Sequence, residues 1–382
     1  MKRRVAILTE IISPYRIPVF NALAARSDID LHVIFLAETD TTMRQWKIYK
    51  DEIRFSYQTL RHWRRRLRGY NVLLNRGMIA ALEKAKPEVV VIGGYSYVAM
   101  WQALRWARKQ GIPVFLWSES NAQDRRRSTS PVEYLKKTFL RSCSGFIVPG
   151  KSPGEYLKTF GVPERVIFTA PNAVDNDFFA GAAAIARGKD AALRAKLGLP
   201  ERYYLFVGRM IREKGIFELL QAYRRLEPEL RERVGLMYVG DGASRDACGK
   251  QAASIHPGRV AFSGFAHREE LAVYYALAEC LVFPTFSDPW GLVVNEAMAC
   301  GLPVIATSVA GCVADLVEDG RNGRVIAPGD VEALSAAMRQ VADNDGLRVS
   351  MGKRSAERIA NSTAQTWAEG FAQAVMSRQV EW

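Results

Sequence analysis

Paired cysteines are missing from this chain. Its five cysteines, Cys143, Cys248, Cys280, Cys300 and Cys312, are odd in number, scattered and nowhere arranged as CxxC. That argues against a disulfide scaffold, and only four histidines argue against a structural zinc site. Long apolar runs are missing too, since no stretch approaches the roughly 18 uncharged residues that cross a bilayer. The opening MKRRVAILTEIISPYRIP has a basic start, but Thr9 and Glu10 break its apolar run. It reads as a buried first strand and not as a signal peptide. These absences point to a soluble protein of a reducing, cytoplasmic compartment. A dinucleotide fingerprint is incomplete as well: in GDGASR (240–245) Arg245 stands where the third glycine belongs, which disfavours an NAD enzyme.

What the chain has is length, a core and a lopsided charge. At 382 residues it is long for one core and suggests two domains, and 48% hydrophobic with 10% aromatic residues supplies their interiors. Residues 1–180 carry 29 Lys and Arg against 16 Asp and Glu, whereas residues 181–382 carry 24 of each. The whole excess of +13 therefore lies in the first half and implies an acidic partner for that half alone. Its densest part, LRHWRRRLRGY, sets Arg61, Arg64, Arg65, Arg66 and Arg68 around Trp63, and Arg125, Arg126 and Arg127 form a second cluster. A solvated surface is the ordinary reading of either. The sharper one is contact with anionic lipid, at roughly 1 kcal/mol per basic residue. Nucleic acid is not expected, because no motif for it accompanies the charge.

Short apolar runs alternate with amphipathic stretches throughout. VAILT (5–9), LHVIFL (31–36), VVVIGG (89–94), PVFLWS (113–118) and GFIVPG (145–150) read as buried parallel strands. The rhythm restarts with YYLFVGR (203–209), VGLMYVG (234–240), RVAFSGF (259–265), CLVFPT (280–285) and PVIATS (303–308). IPVFNALAAR, YVAMWQALRWARKQG and IFELLQAYRRL have helical period. The fold class is thus α/β, with two Rossmann-like domains in series joined through the Gly/Ala/Lys-rich stretch 180–198. In such sheets ligands bind beyond the carboxyl ends of the strands.

Two motifs fall at such ends. In FVGRMIREKG (206–215) a strand closes at Val207, Gly208 turns, and Arg209 and Lys214 precede a helix. A close backbone, a helix end and two cations suit a diphosphate, although an ordinary charged loop would look similar. In SDPWGLVVNEAMACGLPVIAT (287–307) the acids Asp288 and Glu296 flank seven uncharged residues. Trp290–Cys300 reads as a helix stopped by Gly301, with Glu296 its only charge. A carboxylate there is costly to bury unless it is hydrogen-bonded, and ribose hydroxyls would serve. Asp288 before Pro289 also reads as an N-cap, and Gly291 would leave backbone N–H groups open to an anion or a sugar oxygen.

At these residues the chain resembles the retaining, GT-B-fold family 4 glycosyltransferases. The resemblance rests on Phe206–Gly215, GDG (240–242), FSGF (262–265), PNAVDNDFF (171–179) and the acid pair of DPWGLVVNEAMACGLPVI. It implies two Rossmann-like domains facing each other across a cleft. Residues 1–177 would form the acceptor-side domain, 178–360 the donor domain, and 361–382 a helix returning to the first. By resemblance, Arg209 and Lys214 hold the diphosphate and offset the leaving charge, so that no metal or other cofactor is required. The DxD-like triplets DID (28–30) and DND (175–177, 343–345) are not read as metal ligands. Glu296 would bind the ribose, and Asp288 the sugar hydroxyls with one methylene less reach than the family's usual Glu. Gly208, Gly264, Phe265, Trp290, Gly291 and Leu292 complete the expected donor site. Ala310–Gly311 stands where the family often has a glycine pair.

The first domain is less legible. Arg16, at a helix start in TEIISPYRIPVFNAL, is a candidate on the acceptor or phosphate side. Glu119 lies where many relatives place an active-site histidine, and is a candidate catalytic group. The expected activity is transfer of a hexose, from a UDP sugar before a GDP sugar, to a saccharide or lipid-linked acceptor in polysaccharide or glycolipid synthesis. The protein would be cytoplasmic and peripheral on an anionic membrane surface, touching it through Arg61, Trp63, Arg64, Arg65, Arg66 and Arg68. The rivals are a nucleotide-sugar epimerase of the same fold and a non-catalytic, nucleic-acid-binding basic module.

Overall fold

The computed structural model describes residues 2–40, 46–67, 70–122 and 130–377. Arg68 and Arg125–Arg127 lie outside the described residues, as does the side chain of Arg66. The chain divides into two compact units. One runs to Asn172 and takes back the C-terminal segment from Ala364, and the other holds Ala173–Thr363.

In the first unit, β1 (Arg3–Thr9), β2 (Ile29–Phe35), β3 (Ser56–Thr59), β6 (Val89–Ile92), β7 (Val114–Trp117), β8 (Gly145–Val148) and β9 (Ile167–Thr169) form a parallel sheet. Its order is β3-β2-β1-β6-β7-β8-β9. The central strands β6, β7 and β8 are buried at every position, which is why they read as unbroken apolar runs. Helix Ile17–Ala24 packs on the C-terminal helix Ala364–Met376, where the rings of Phe20 and Trp367 lie 5.9 Å apart.

Between β3 and β6 stands a separate antiparallel hairpin, β4 (Arg61–Leu67) with β5 (Tyr70–Arg76). Two strands alone are marginal in water, so its inner face must be tied down. Leu73 is buried, the Asn75 amide donates to the Leu36 carbonyl at 2.5 Å, and Arg64 pairs with Asp40 and, at 3.1 Å, with Glu10. This corrects the expectation for Arg64. Its side chain faces inward to two carboxylates and is only 11% exposed, so it is not a lipid contact.

In the second unit, β10 (Tyr203–Val207), β11 (Gly235–Val239), β12 (Val260–Gly264), β13 (Cys280–Phe283), β14 (Val304–Thr307) and β15 (Gly323–Ile326) form a second parallel sheet. Its order is β12-β11-β10-β13-β14-β15. Both sheets are Rossmann-like, with helices between the strands. The stretch 180–198, between the two sheets, is largely helical. It carries most of helix Asn176–Arg187, capped by Asp175 on the Phe178 N–H, and all of helix Asp190–Leu197.

Candidate active site

The second unit gathers the expected donor residues at the carboxyl edge of its sheet. Gly208 follows β10, and its N–H donates to Val239 at the end of neighbouring β11. Gly240, just beyond β11, donates in turn to the carbonyl of Gly264, the last residue of β12. Phe265 comes next, 40% exposed. Three adjacent strand ends therefore present Gly208, Gly264 and Phe265 on one edge, with exposed Arg209 beside them.

The loop after β10 is stitched to the loop after β13. The Glu213 carbonyl accepts from the Thr285 hydroxyl at 3.0 Å and from the Phe286 N–H at 2.9 Å, and Thr285 is fully buried. Gly215 allows this closeness. Its φ is +69°, and a Cβ there would stand 1.9 Å from the Pro284 carbonyl oxygen. The stitch brings Lys214 against the second loop. Its ammonium donates to the Ser287 carbonyl at 3.1 Å and to Asp288 Oδ2 at 2.5 Å.

Asp288 is thus not the helix cap that its place before Pro289 suggested. The helix is Leu292–Ala299, and its N-cap is Gly291 at φ +97°. A Cβ on Gly291 would fall 2.7 Å from the Phe283 ring, so the turn needs glycine on both counts. Asp288 sits a turn earlier, its Oδ1 accepting the Trp290 N–H at 3.1 Å. Its backbone is bridged to Ala310, and its carbonyl accepts the Gly311 N–H. Trp290 is buried, its indole N–H on Asn295 at 3.0 Å. No side chain caps the helix start, which leaves the first-turn N–H groups at Leu292 and Val293 open to an anion.

Glu296 lies on the same helix, partly buried in an apolar surround. Burial pushes its carboxyl up to about 7, and a 2.7 Å hydrogen bond from the Tyr275 hydroxyl opposes the rise. Burial and the neighbouring Glu296 hold the Tyr275 hydroxyl well above its ordinary value, so it stays a donor. Tyr275 gives no signal in the sequence: in REELAVYYALAEC it looks like any core-facing aromatic. Thr285 and the Ser287 carbonyl are equally silent, because their parts are set by loop geometry.

Arg16 and Glu119 lie in the first unit and are bound to each other. The Arg16 guanidinium pairs with Glu119, donates to Asn172 at 2.8 Å and lies 4.3 Å from the centre of the Trp117 ring. Asn172, fully buried, donates to Glu119 at 3.0 Å. The two candidates of the first unit are therefore engaged with each other. Arg16 is paired with a carboxylate, and Glu119 is held by two donors.

The DxD-like triplets have structural work in the second unit. Asp175 and Asn344 cap helices, and Asp343 and Asp345 pair with Arg233 and Arg348. Among the described residues, no three His, Cys, Asp or Glu side chains cluster as metal ligands would, and no helix is long and apolar enough to cross a membrane.

Known proteins match both units. Residues 20–178 match the model described as Glycosyltransferase Family 4, and residues 190–358 match that described as Glycosyl transferases group 1. Among curated proteins, the chain is 30% identical over 244 residues to the O-antigen chain mannosyltransferase B of Escherichia coli, covering 62% of this chain and 61% of that one. It is 35% identical over 202 residues to the D-inositol 3-phosphate glycosyltransferase of Streptomyces coelicolor, covering 49% and 44%. The chain therefore spans between two fifths and two thirds of these relatives' lengths. Solved structures share the fold. Anabaena Alr3699/HepE in complex with UDP and glucose superposes with a TM-score of 0.76 at 16% identity, over 98% of this chain and all of that one. WaaG, a glycosyltransferase involved in lipopolysaccharide biosynthesis, does so at 0.69 and 18%, with 98% and 100% covered.

Proposed function

The chain belongs to the glycosyltransferases that these two family models describe, and from that premise we propose that it moves a hexose from a nucleoside diphosphate sugar to a saccharide acceptor, retaining the anomeric configuration. The observation that carries the reading is the stitched pair of loops in the second unit. It sets Lys214, Asp288 and an uncapped helix start side by side at the carboxyl edge of the sheet. In transfer, the bond from the anomeric carbon to the diphosphate breaks and its electron pair stays with the diphosphate, while an acceptor hydroxyl oxygen bonds the carbon and its proton passes to the departing diphosphate. Negative charge therefore grows on the leaving group. The reading assigns Lys214, Arg209 and the helix start to receive it, since preformed charge of this kind stabilises a transition state without reorganisation. Charge supplied by these groups lets the reading do without a metal.

Glu296 is assigned to the ribose and Asp288 to the sugar hydroxyls. Retention is an expectation of the family and is tested as such. Arg16 and Glu119 are assigned to shape the first unit's strand ends, where they hold each other together with Asn172. UDP sugars come first among donors, since a solved relative of the same fold is in complex with UDP-glucose. A thermal-shift panel of UDP and GDP sugars tests the reading: a ligand at 100 times its Kd stabilises by about 2.7 kcal/mol. A shift with one base and none with the other names the donor. No shift with any nucleotide sugar would reject the donor site.

A further inference from the structure

We propose that the outward face of the β4–β5 hairpin is a docking surface for an anionic lipid bilayer. The register decides which side chains share that face. Arg61 stands opposite Arg76, Trp63 opposite Leu74, and Arg65 opposite Val72. Directly opposed residues of an antiparallel pair project on the same side, and the alternate side chains, Arg64, Leu73 and Asn75, are the ones tied inward. The outer face is therefore a Trp–Leu pair, each 48% exposed, flanked by three exposed arginines. Two of its members, Leu74 and Arg76, lie on the returning strand and outside the arginine run that draws attention in the sequence.

Two features make this face unlike an ordinary solvated surface. Like charges directly opposite one another across a hairpin repel, and Arg61 with Arg76 is such a pair. Among the described residues, Arg61, Arg65 and Arg76 form no ion pair that would relieve it. Anionic lipid would relieve it, and the excess of 29 basic over 16 acidic residues in the first 180 gives the same sign over a wider area. Second, an exposed tryptophan beside a leucine and ringed by arginines is the composition that settles at a headgroup boundary: the apolar pair enters, and the guanidinium groups stay with the phosphates. Nucleic acid would use the arginines but has no place for Leu74. The inner anchors keep the face fixed, so little ordering is lost on docking. The proposal goes beyond the donor site, which lies in the other unit, and stands or falls separately from it.

The test is co-sedimentation of the full chain with phosphatidylcholine vesicles, with and without phosphatidylglycerol, at two salt concentrations. Binding is expected only with the anionic lipid, weakened by salt. Each arginine at an anionic surface is worth about fivefold in affinity, so Arg61→Gln, Arg65→Gln and Arg76→Gln together should weaken binding about a hundredfold. A control removes the same charge from exposed positions of the other unit, Lys189→Gln, Lys196→Gln and Arg225→Gln, and should retain binding. Trp63→Gln should weaken binding several-fold and leave its salt dependence intact, because it removes apolar contact and no charge. Circular dichroism and melting temperature report that each variant is folded. Equal losses in the two triple variants would overturn the proposal, as would absence of vesicle binding by the parent chain. Tighter binding to a single-stranded RNA oligonucleotide than to the vesicles would overturn it in favour of nucleic acid.

Discussion

Asp288 Oδ2 lies 2.5 Å from the Lys214 ammonium, so two residues 74 positions apart form one ion pair at the centre of the proposed donor site. Their side chains are 18% and 11% exposed. Neither can be replaced without changing the other's surroundings.

The first prediction concerns that coupling. Lys214→Ala leaves a largely buried carboxylate uncompensated, and breaking one member of a buried pair costs about 3–5 kcal/mol, less here because Asp288 keeps some water. We expect about 2–3 kcal/mol by urea unfolding. In a double-mutant cycle with Asp288→Asn the two changes should be non-additive by about 0.5–3 kcal/mol. Additive effects would mean that the pair is not formed in solution.

A second prediction separates the two parts Asp288 could play. Asn keeps an oxygen for the Trp290 N–H but gives up the charge that holds Lys214. If Asp288 accepts from the donor's sugar, Asp288→Asn should weaken the nucleotide sugar by about 1–3 kcal/mol, roughly five- to hundredfold. The bare nucleoside diphosphate should bind as well as before or better, since Lys214 is released to it. Isothermal calorimetry with both ligands checks this, and equal weakening of both would leave Asp288 only a positioning residue for Lys214.

The third prediction is a pH dependence. Glu296 titrates at about 7 in the folded chain against an ordinary 4.5. Between these values the native state holds a proton that the unfolded state has released, so stability falls as pH rises through this window and is level above it. Glu296→Gln removes the slope and should stabilise the protein at pH 8 by on the order of 2–3 kcal/mol, with little effect at pH 4.5. Nucleotide affinity should run the other way in the parent chain, rising from pH 6 to pH 8 as the carboxylate becomes able to accept ribose hydroxyls, and should be flat in Glu296→Gln. Melting curves and binding isotherms over that range check both signs.

Tyr275→Phe gives a fourth. Removing the hydroxyl takes away the hydrogen bond that favours the Glu296 carboxylate, at a cost of about 0.5–1.5 kcal/mol. The pH midpoint for nucleotide binding should move upward in this variant, and affinity above the new midpoint should be largely restored. An unchanged midpoint would separate Tyr275 from the site.

Much of this was legible beforehand, and what was not has physical causes. The ten strands read from apolar runs all exist: nine are interior to their sheets, where burial is greatest, and the tenth, Val260–Gly264, is a partly buried edge whose apolar run still shows. Three of the five unread strands, Ser56–Thr59, Ile167–Thr169 and Gly323–Ile326, are sheet edges, where burial is weaker and the apolar signal fades. The remaining two form the hairpin, whose arginines mask its alternation. Asp288 reads locally both as a helix cap, since Asp-Pro is a sound helix start, and as a sugar contact. Only the tertiary stitch from Glu213 to Thr285 turns its side chain towards Lys214. Arg16 and Glu119 each look like candidate charged groups in sequence, and their mutual pairing through Asn172 joins segments more than 50 residues apart.

The most direct measurement is an NMR time course of the chain with its stabilising nucleotide sugar, with and without a saccharide acceptor. The account predicts that nucleoside diphosphate appears in step with a new glycoside of the same anomeric configuration as the donor, that both need the acceptor, and that turnover falls in folded Lys214→Ala. A donor converted to its epimer without acceptor, or no diphosphate released under any donor and acceptor pair, would contradict it.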